Sequence, residues 1–217
     1  MDTITENKTA TITIPARDFA NAVRVVAVSA GTDKSLPMLT AMLISGGGDK
    51  PVELVATDRY RLTRARLRGV DDTGEITPLL IPAQPLAKFM SGIKFPARSW
   101  GNEVVEIFPI GGEVMIQATV AGETSSITLR LSDATFPKYQ ELIPTDLSGG
   151  NYSTGTNLMA VNPKLLGEIA TVFSKVIGKG SGTMKLHLPN EGKRAVIFTL
   201  DTEGVEYLTL LMPVRIN

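Results

Sequence analysis

The feature that most restricts the fold is a pattern that occurs three times: a short apolar stretch, a proline, and then apolar residues at helical spacing. Proline has no amide hydrogen, and the first turn of a helix is where that loss costs least, so each proline predicts a helix start. We expect each copy to be a strand that runs directly into a helix. The copies occupy residues 12–23 (ITIPARDFANAV), 80–90 (LIPAQPLAKFM) and 158–169 (LMAVNPKLLGEI).

Between the predicted helices, apolar and polar residues alternate, which is typical of strands with one buried face. Glycine-containing stretches separate several of these segments and predict hairpin turns. The fold class predicted is therefore α+β, built from repeated β-α-β-β-β units in which helices cover one face of antiparallel sheets. The alternating segments are 38–44, 52–56, 62–67, 103–107, 114–118 and 127–131.

The repeats also predict the domain organisation. Two units are expected to pair into one domain over residues 9–144, and a polar, glycine-rich stretch at 145–156 (TDLSGGNYSTGT) predicts a linker. A single unit follows at 157–217. Because the number of units is odd, one unit has no partner unit within the chain. We therefore expect the sheet edge and apolar face of the third unit to bind another chain.

Composition excludes several classes of function. The chain has no cysteine and one histidine, so thiolate chemistry and metal centres built on these residues are not expected. The histidine, His187, alternates with apolar residues on a predicted strand and is expected to point to solvent. The stretch GKGSG at 178–182 follows a helix and lacks the ending of a phosphate loop, so a turn is expected. No catalytic centre, cofactor or metal is predicted.

No apolar run approaches the ~20 residues of a membrane span, and no signal segment opens the chain, so the sequence predicts a cytoplasmic protein without a membrane partner. The 22 basic residues balance the 22 acidic ones, which means that any DNA binding has to be local.

Charge is nevertheless unevenly distributed. The predicted helices at 16–30, 83–94 and 163–179 carry seven basic residues against only Asp18 and Glu168. If the helices share one face, that face is positive and suits a phosphate backbone; the alternative is that the basic residues only solvate helix surfaces. The basic residues are Arg17, Arg24, Lys88, Lys94, Lys164, Lys175 and Lys179.

Three further segments have the composition of binding surfaces. In ATDRYRL at 56–62 two arginines flank an aromatic residue, which suits recognition but also suits a polar rim. FPKYQELIP at 136–144 is aromatic and bounded by prolines. The chain end LLMPVRI at 210–216 is too apolar for us to expect it to extend freely into solvent.

Together, five segments resemble those of the bacterial sliding clamp family, the beta subunit of DNA polymerase III, in the same order and with actinobacterial clamps most similar. They are LPMLTAM at 36–42, VATDRYRL at 55–62, LIPA at 80–83, FPKYQELIP at 136–144 and LMPVR at 211–215. The resemblance implies a non-catalytic replication processivity factor. Such a protein forms a ring around double-stranded DNA with helices lining the bore, tethers the polymerase, and is opened by a clamp loader.

The resemblance also implies a cleft that receives short peptide motifs of the polymerase and the loader. Carried over by motif, it comprises Leu39, Thr57, Arg59, Tyr60, Arg61, Leu62, Pro137, Glu141, Leu142, Leu210, Met212, Pro213, Val214 and Arg215. Glu141 places an acid where some relatives have a base.

A family chain typically has six units, whereas three are found here, so the resemblance implies a shortened form of bacterial or phage origin. If a twelve-unit ring is kept, four self-associating chains close it. The alternative function is a clamp-like adaptor or decoy that binds such peptides without encircling DNA.

Overall fold

A computed structural model describes residues 12–68, 70, 76–96, 102–145, 147, 159–178, 180, 182–190 and 194–214. These residues form four α-helices, eleven strands and one short 3-10 turn. The helices are α1 (Ala16–Ala27), α2 (Pro37–Thr40), α3 (Ala83–Gly92) and α4 (Pro163–Ile177). The strands are β1 (Ile12–Pro15), β2 (Ala41–Gly47), β3 (Lys50–Thr57), β4 (Arg61–Leu67), β5 (Ile76–Pro82), β6 (Val104–Ile110), β7 (Glu113–Val120), β8 (Glu123–Arg130), β9 (Lys185–His187), β10 (Val196–Asp201) and β11 (Val205–Leu211).

The three prolines begin helices as the repeat predicts. Pro15 and Pro82 are the residues before the first turns of α1 and α3, and Pro163 is the first residue of α4. The side chain of Asn162 caps α4 by accepting a hydrogen bond from the amide of Lys164 at 3.0 Å. The α+β fold of repeated units is thus confirmed, with the element order β1-α1-β2-β3-β4 in the first unit, where α2 is an additional turn, and β5-α3-β6-β7-β8 in the second. The third unit reads α4-β9-β10-β11, and among its described residues the strand predicted before α4 is reduced to an isolated bridge between Ala160 and Val214.

Two local predictions need correction. The helices end at Ala27, Gly92 and Ile177, two or three residues before the predicted ends, which leaves Lys94 beyond α3. The segment predicted as a strand from residue 38 begins as α2, because Pro37 favours a helical first turn, and β2 starts only at Ala41.

The first two units exchange their first strands. β1 pairs with β6, and β5 pairs with β2, so that neither unit has a complete sheet without the other. The smaller sheet has the order β1-β6-β7-β8, and the larger has the order β5-β2-β3-β4-β11-β10-β9. The third unit extends the larger sheet, because β11 pairs antiparallel with β4, from Val205 opposite Leu67 to Leu211 opposite Arg61.

The main hydrophobic core lies between the helices and the sheets. α1 contacts strands of both sheets as well as α3 and α4, and Phe19, Val23 and Val26 are fully buried in it. Phe173 of α4 and Tyr207 of β11 belong to the same core, with ring centroids 6.0 Å apart. The three longer helices, α1, α3 and α4, therefore pack on the core side of the sheets.

A second, smaller cluster covers the opposite face of the larger sheet. It includes Leu62 and Leu210, which lie directly opposite each other on β4 and β11. The described residues of segment 132–147 fold over it, with Tyr139 buried and Phe136 packed edge-on against that ring at 6.0 Å. The Tyr139 hydroxyl donates to Glu53 at 3.0 Å, and burial, with the Glu53 charge as a second cause, raises the pKa of Tyr139 to about 12.

His187 is half-buried rather than pointing freely to solvent, since its Nε2 lies 3.0 Å from the Thr199 hydroxyl across the β9–β10 pair. Among the described helices, none has the length and apolar character needed to cross a membrane.

Candidate functional site

The β3–β4 turn, residues 57–61, has a backbone conformation fixed by its own side chains. The carboxylate Oδ1 of Asp58 accepts hydrogen bonds from the amides of Tyr60 at 3.0 Å and Arg61 at 2.9 Å. The Thr57 hydroxyl donates to the Arg61 carbonyl at 2.8 Å. These bonds hold Arg59 at φ 77°, a left-handed conformation that is costly for a residue with a Cβ. As a result, Tyr60 projects outward with 61% of its surface exposed.

The C-terminal tail, residues 212–214, lies against this turn. The Met212 amide donates to the Tyr60 carbonyl at 2.8 Å, and the Val214 amide donates to the Ala160 carbonyl at 2.8 Å. The described part of the apolar chain end is therefore held by backbone hydrogen bonds, as expected. Two segments about 150 residues apart in sequence thus form one surface, on which Met212 and Val214 remain largely exposed.

Arg61 connects the turn to the third unit. Its Nε lies 3.0 Å from an Asp58 carboxylate oxygen and its Nη1 lies 2.6 Å from Glu168 of α4. The Arg61 side chain is only 8% exposed, and its charge pairs with Asp58 and Glu168 rather than facing solvent. The sequence treats Arg59 and Arg61 alike as flanks of an aromatic residue, whereas only Arg59 is exposed.

A groove of about 1230 Å³ runs between the β3–β4 turn, the tail, α4, and the end of α1 with the loop that follows it. Its lining combines apolar side chains such as Leu36, Leu165 and Val172 with the cationic side chains of Arg59 and Lys164. Such a mixture suits an extended peptide with apolar anchors.

Asp33 also lines the groove. The hydroxyl and amide of Ser35 donate hydrogen bonds to its carboxylate, and these, helped by the charge of Arg59, lower the pKa of Asp33. The carboxylate is thus ionised and hydrogen-bonded beside the cationic lining. No group of three potential metal ligands occurs among the residues that the structure covers.

The exposed large hydrophobic residues are concentrated in the predicted cleft. Seven described residues of this kind are exposed, and four of them are among the predicted cleft residues. The seven are Tyr60, Ile110, Leu142, Leu186, Leu188, Met212 and Val214.

The structure brings half of the predicted cleft residues to the groove. Its lining contains Leu39, Arg59, Tyr60, Arg61, Met212, Pro213 and Val214. Thr57 is buried inside the turn, and Leu62 and Leu210 are buried in the outer cluster. Pro137, Glu141 and Leu142 are exposed on segment 132–147, and Arg215 lies outside the described residues.

Several groove residues are not among the predicted cleft residues, although Lys164 was predicted as a DNA-facing residue. They come from α4 and its cap, namely Asn162, Lys164, Leu165 and Glu168. The sequence did indicate the Asn-Pro helix start, but only the packing of α4 beside α1 directs these residues to the groove.

The predicted DNA-facing residues do not all lie in one place. Arg24, Lys164 and Lys175 line the groove, while Lys88 and Lys94 are exposed elsewhere. Arg17 donates to the Pro96 carbonyl at 2.5 Å and lies over the Phe95 ring at 5.2 Å. Lys179 lies outside the described residues. Because the helices are shorter than predicted, they carry five basic residues and two acidic ones.

Comparison with known proteins identifies the fold and the family. Residues 13–138 match the model of the DNA polymerase III beta subunit, central domain. The beta sliding clamp of Streptomyces coelicolor is 34% identical over 142 residues, which cover 64% of this chain and 36% of that protein. The beta sliding clamp of Streptococcus pneumoniae strain TIGR4 is 26% identical over 188 residues, which cover 82% of this chain and 45% of that one. The chain thus spans less than half the length of these relatives.

Solved structures agree over the whole chain. DNA polymerase III subunit beta from Borrelia burgdorferi, solved in complex with a natural product, matches with a TM-score of 0.72 at 16% identity, covering 100% of this chain and 67% of that one. The clamp of Pseudomonas aeruginosa bound to griselimycin matches with a TM-score of 0.65, covering 100% and 68%. Since the family match spans more than half of the sequence, the chain belongs to the bacterial sliding clamp family, the beta subunit of DNA polymerase III.

Proposed function

We propose that this protein captures short peptide motifs of replication proteins in the groove, and that several copies encircle duplex DNA as a processivity factor. The observation that carries the proposal is the hydrogen bond between the Met212 amide and the Tyr60 carbonyl, at 2.8 Å. It joins two of the five segments that carry the family resemblance at the edge of one groove. The protein would act without catalysis in the cytoplasm of a bacterium, or of a phage-infected one.

The groove has the features that reversible peptide capture requires. Tyr60 and Met212 are 61% and 45% exposed, so a ligand can bury further apolar surface against both. Two such contacts at about 1.5–3 kcal/mol each, with a few hydrogen bonds and less the cost of ordering the peptide, correspond to roughly micromolar affinity. Affinity in this range lets a polymerase and a clamp loader exchange on one surface.

Peptide capture is tested by fluorescence anisotropy with a labelled short peptide that contains glutamine and leucine or phenylalanine. Tyr60→Ala is expected to weaken binding about tenfold, because it removes one apolar anchor. Ile110→Ala is the matched control, since Ile110 is 59% exposed but lies outside the groove, and it should bind like the original protein. Equal affinities for Tyr60→Ala and the control would contradict the proposal.

Ring formation is supported by the cationic helices and by the sheet edges that can accept further chains. Lys88 on α3 and Lys94 just beyond it are exposed, and phosphate contacts of this kind hold DNA without reading its sequence. If the family's twelve-unit ring is kept, four chains of three units close it.

Encirclement is tested by retention on nicked circular DNA. A ring predicts retention that is lost when the DNA is linearised. Lys88→Glu with Lys94→Glu should weaken retention at low salt and make it less dependent on salt, because fewer phosphates are neutralised. Lys138→Glu is the control, because Lys138 is an exposed lysine on the segment that covers the opposite face of the larger sheet. Retention that is insensitive to linearisation would rule out a ring.

A second candidate function is a clamp-like adaptor or decoy that does not encircle DNA. It is favoured by one observation: the groove is lined by residues of a single chain, so peptide capture needs no ring. Micromolar peptide binding without topological retention on DNA would select this alternative.

A further inference from the structure

Strand β9 ends the larger sheet and carries apolar residues at its edge. Leu186 and Leu188 are 53% and 48% exposed, and they alternate with Lys185 and His187. Leu186 lies directly opposite Phe198, which is buried in the main core. Since opposite residues share a face, Met184, Leu186 and Leu188 extend the core side of the sheet beyond its last described strand.

The chain's own repeat shows that this position accepts a further antiparallel strand. β6 occupies the corresponding place in the second unit, where it pairs with β7 on one side and with β1 on the other. β9 pairs with β10 alone in the described sheet. The corresponding helices differ in the same way, because α3 packs more extensively on α1 than α4 does. Among the described residues, the third unit therefore has an open acceptor edge.

We propose that β9 pairs antiparallel with β9 of a second copy of this chain, about a two-fold axis at Leu186. This register places Leu186 opposite itself, Met184 opposite Leu188, and Lys185 opposite His187. All three apolar pairs then lie on the core side, and the polar pairs lie on the other side. A register shifted by one residue would place apolar residues opposite polar ones.

The pattern favours a second copy over another partner because it is self-complementary. The segment from Met184 to Leu188 reads apolar, polar, apolar, polar, apolar, which is unchanged when reversed. It contains no acidic residue, and Pro189, which has no amide hydrogen, ends the strand. Pairing uses the open edge of both copies, so this contact closes at two chains. The β9–β9 contact would be one of the contacts of the proposed ring. Its role in the ring rests on the proposed function, whereas the contact itself does not.

The register is tested by disulfide cross-linking, for which a chain without cysteine is well suited. Directly opposite residues of antiparallel strands have Cα atoms about 4.5–5.5 Å apart, within the range that a disulfide spans. Leu186→Cys should therefore form a covalent dimer on mild oxidation. Lys185→Cys should not, because residue 185 faces residue 187, and neither should the exposed control Ile110→Cys. Equal cross-linking of Leu186→Cys and the controls would overturn the proposal.

Association without a cross-link is measured by analytical ultracentrifugation of the full chain at micromolar concentrations. Leu186→Lys is expected to weaken dimerisation at least about tenfold, because it places a charge at the two-fold axis, while Ile110→Lys should not. A monomeric parent protein overturns the β9 contact. Peptide anisotropy on the same samples separates the β9 contact from peptide capture in the groove. Leu186→Lys should bind the peptide as tightly as the parent protein does. A parent protein that dimerises but does not bind the peptide contradicts the proposed function alone.

Discussion

Helices α1 and α4 begin with the same proline signal but occupy very different surroundings. Eight of the twelve residues of α1 are buried, against three of the fifteen of α4. α1 is enclosed by two sheets and two helices, whereas α4 packs against β11 and one side of α1. The difference shows that a helix start is encoded locally, while its burial depends on how many units surround it.

The third unit is attached through a seam along β4 and β11. Beneath the strands, the hydroxyls of Ser29, Thr63 and Thr209 form a buried chain with separations of 2.6 and 2.9 Å. On the surface, Arg68 contacts Asp201 at 2.9 Å. The seam therefore combines sheet pairing, a buried chain of hydroxyls and an exposed ion pair. Substitutions in α1, in α4 and at the seam test how far stability depends on the number of surrounding units.

The largest expected effect is on the enclosed helix. Phe19→Ala should lower the free energy of unfolding by about 3–5 kcal/mol, because the fully buried ring leaves a cavity. Leu166→Ala on α4 removes a half-buried side chain and should cost about 1 kcal/mol. Urea unfolding followed by circular dichroism measures both. Equal losses would mean that α4 is as enclosed as α1.

The next effect is on the hydroxyl chain of the seam. Thr63→Val should cost about 2–3 kcal/mol, because it leaves the buried hydroxyls of Ser29 and Thr209 without their partner. The triple variant Ser29→Ala, Thr63→Val, Thr209→Val removes the unsatisfied groups and should recover part of that loss. If the triple variant is less stable than Thr63→Val, the loss in Thr63→Val does not come from leaving the hydroxyls of Ser29 and Thr209 without a hydrogen-bond partner.

A smaller effect is expected at the ion pair between the turn and α4. Glu168→Gln should cost about 1 kcal/mol, because Glu168 is 40% exposed and Arg61 keeps Asp58 as a partner. Glu141→Gln, at an exposed glutamate on segment 132–147, is the control and should leave the urea midpoint unchanged. Peptide anisotropy on the same variant shows whether Glu168 also positions the turn.

The smallest effect concerns Asp18 of α1, which packs directly against Gly204 in the turn between β10 and β11. Burial, and secondly the charge of Glu203, raise the pKa of Asp18 above its usual 3.8. The folded state thus holds the proton more tightly than the unfolded state, so the stabilisation is present below pH 3.8 and is lost as pH rises through the folded pKa.

Asp18→Asn should accordingly raise the urea midpoint at pH 7, and solvent screening keeps the gain below about 1 kcal/mol. The gain should shrink as the pH is lowered toward 4, near the ordinary carboxyl pKa. Urea titrations across this interval measure it. A gain that does not change with pH would show that the carboxylate charge is not its cause.

Local signals predicted much of the fold and part of the site. The prolines located α1, α3 and α4 because their effect on the first helical turn depends only on neighbouring backbone, and alternation located most strands of the first two units. Arg61 could not be distinguished from Arg59, because burial of one and exposure of the other depend on Glu168, over a hundred residues away. Leu62 was predicted as a cleft residue, and the structure places it in the outer cluster. Its burial also depends on a distant part of the chain, because it lies opposite Leu210 of β11.

By itself the sequence determined the repeating unit, the helix starts, the odd number of units and the segments that resemble sliding clamps. These follow from periodicity and residue chemistry, which act over a few neighbouring residues. Only the tertiary structure decided that β1 and β5 exchange sheets, that β11 pairs with β4, and that the tail meets Tyr60. Such pairings depend on which apolar faces bury each other across the whole chain, and local sequence does not specify that choice.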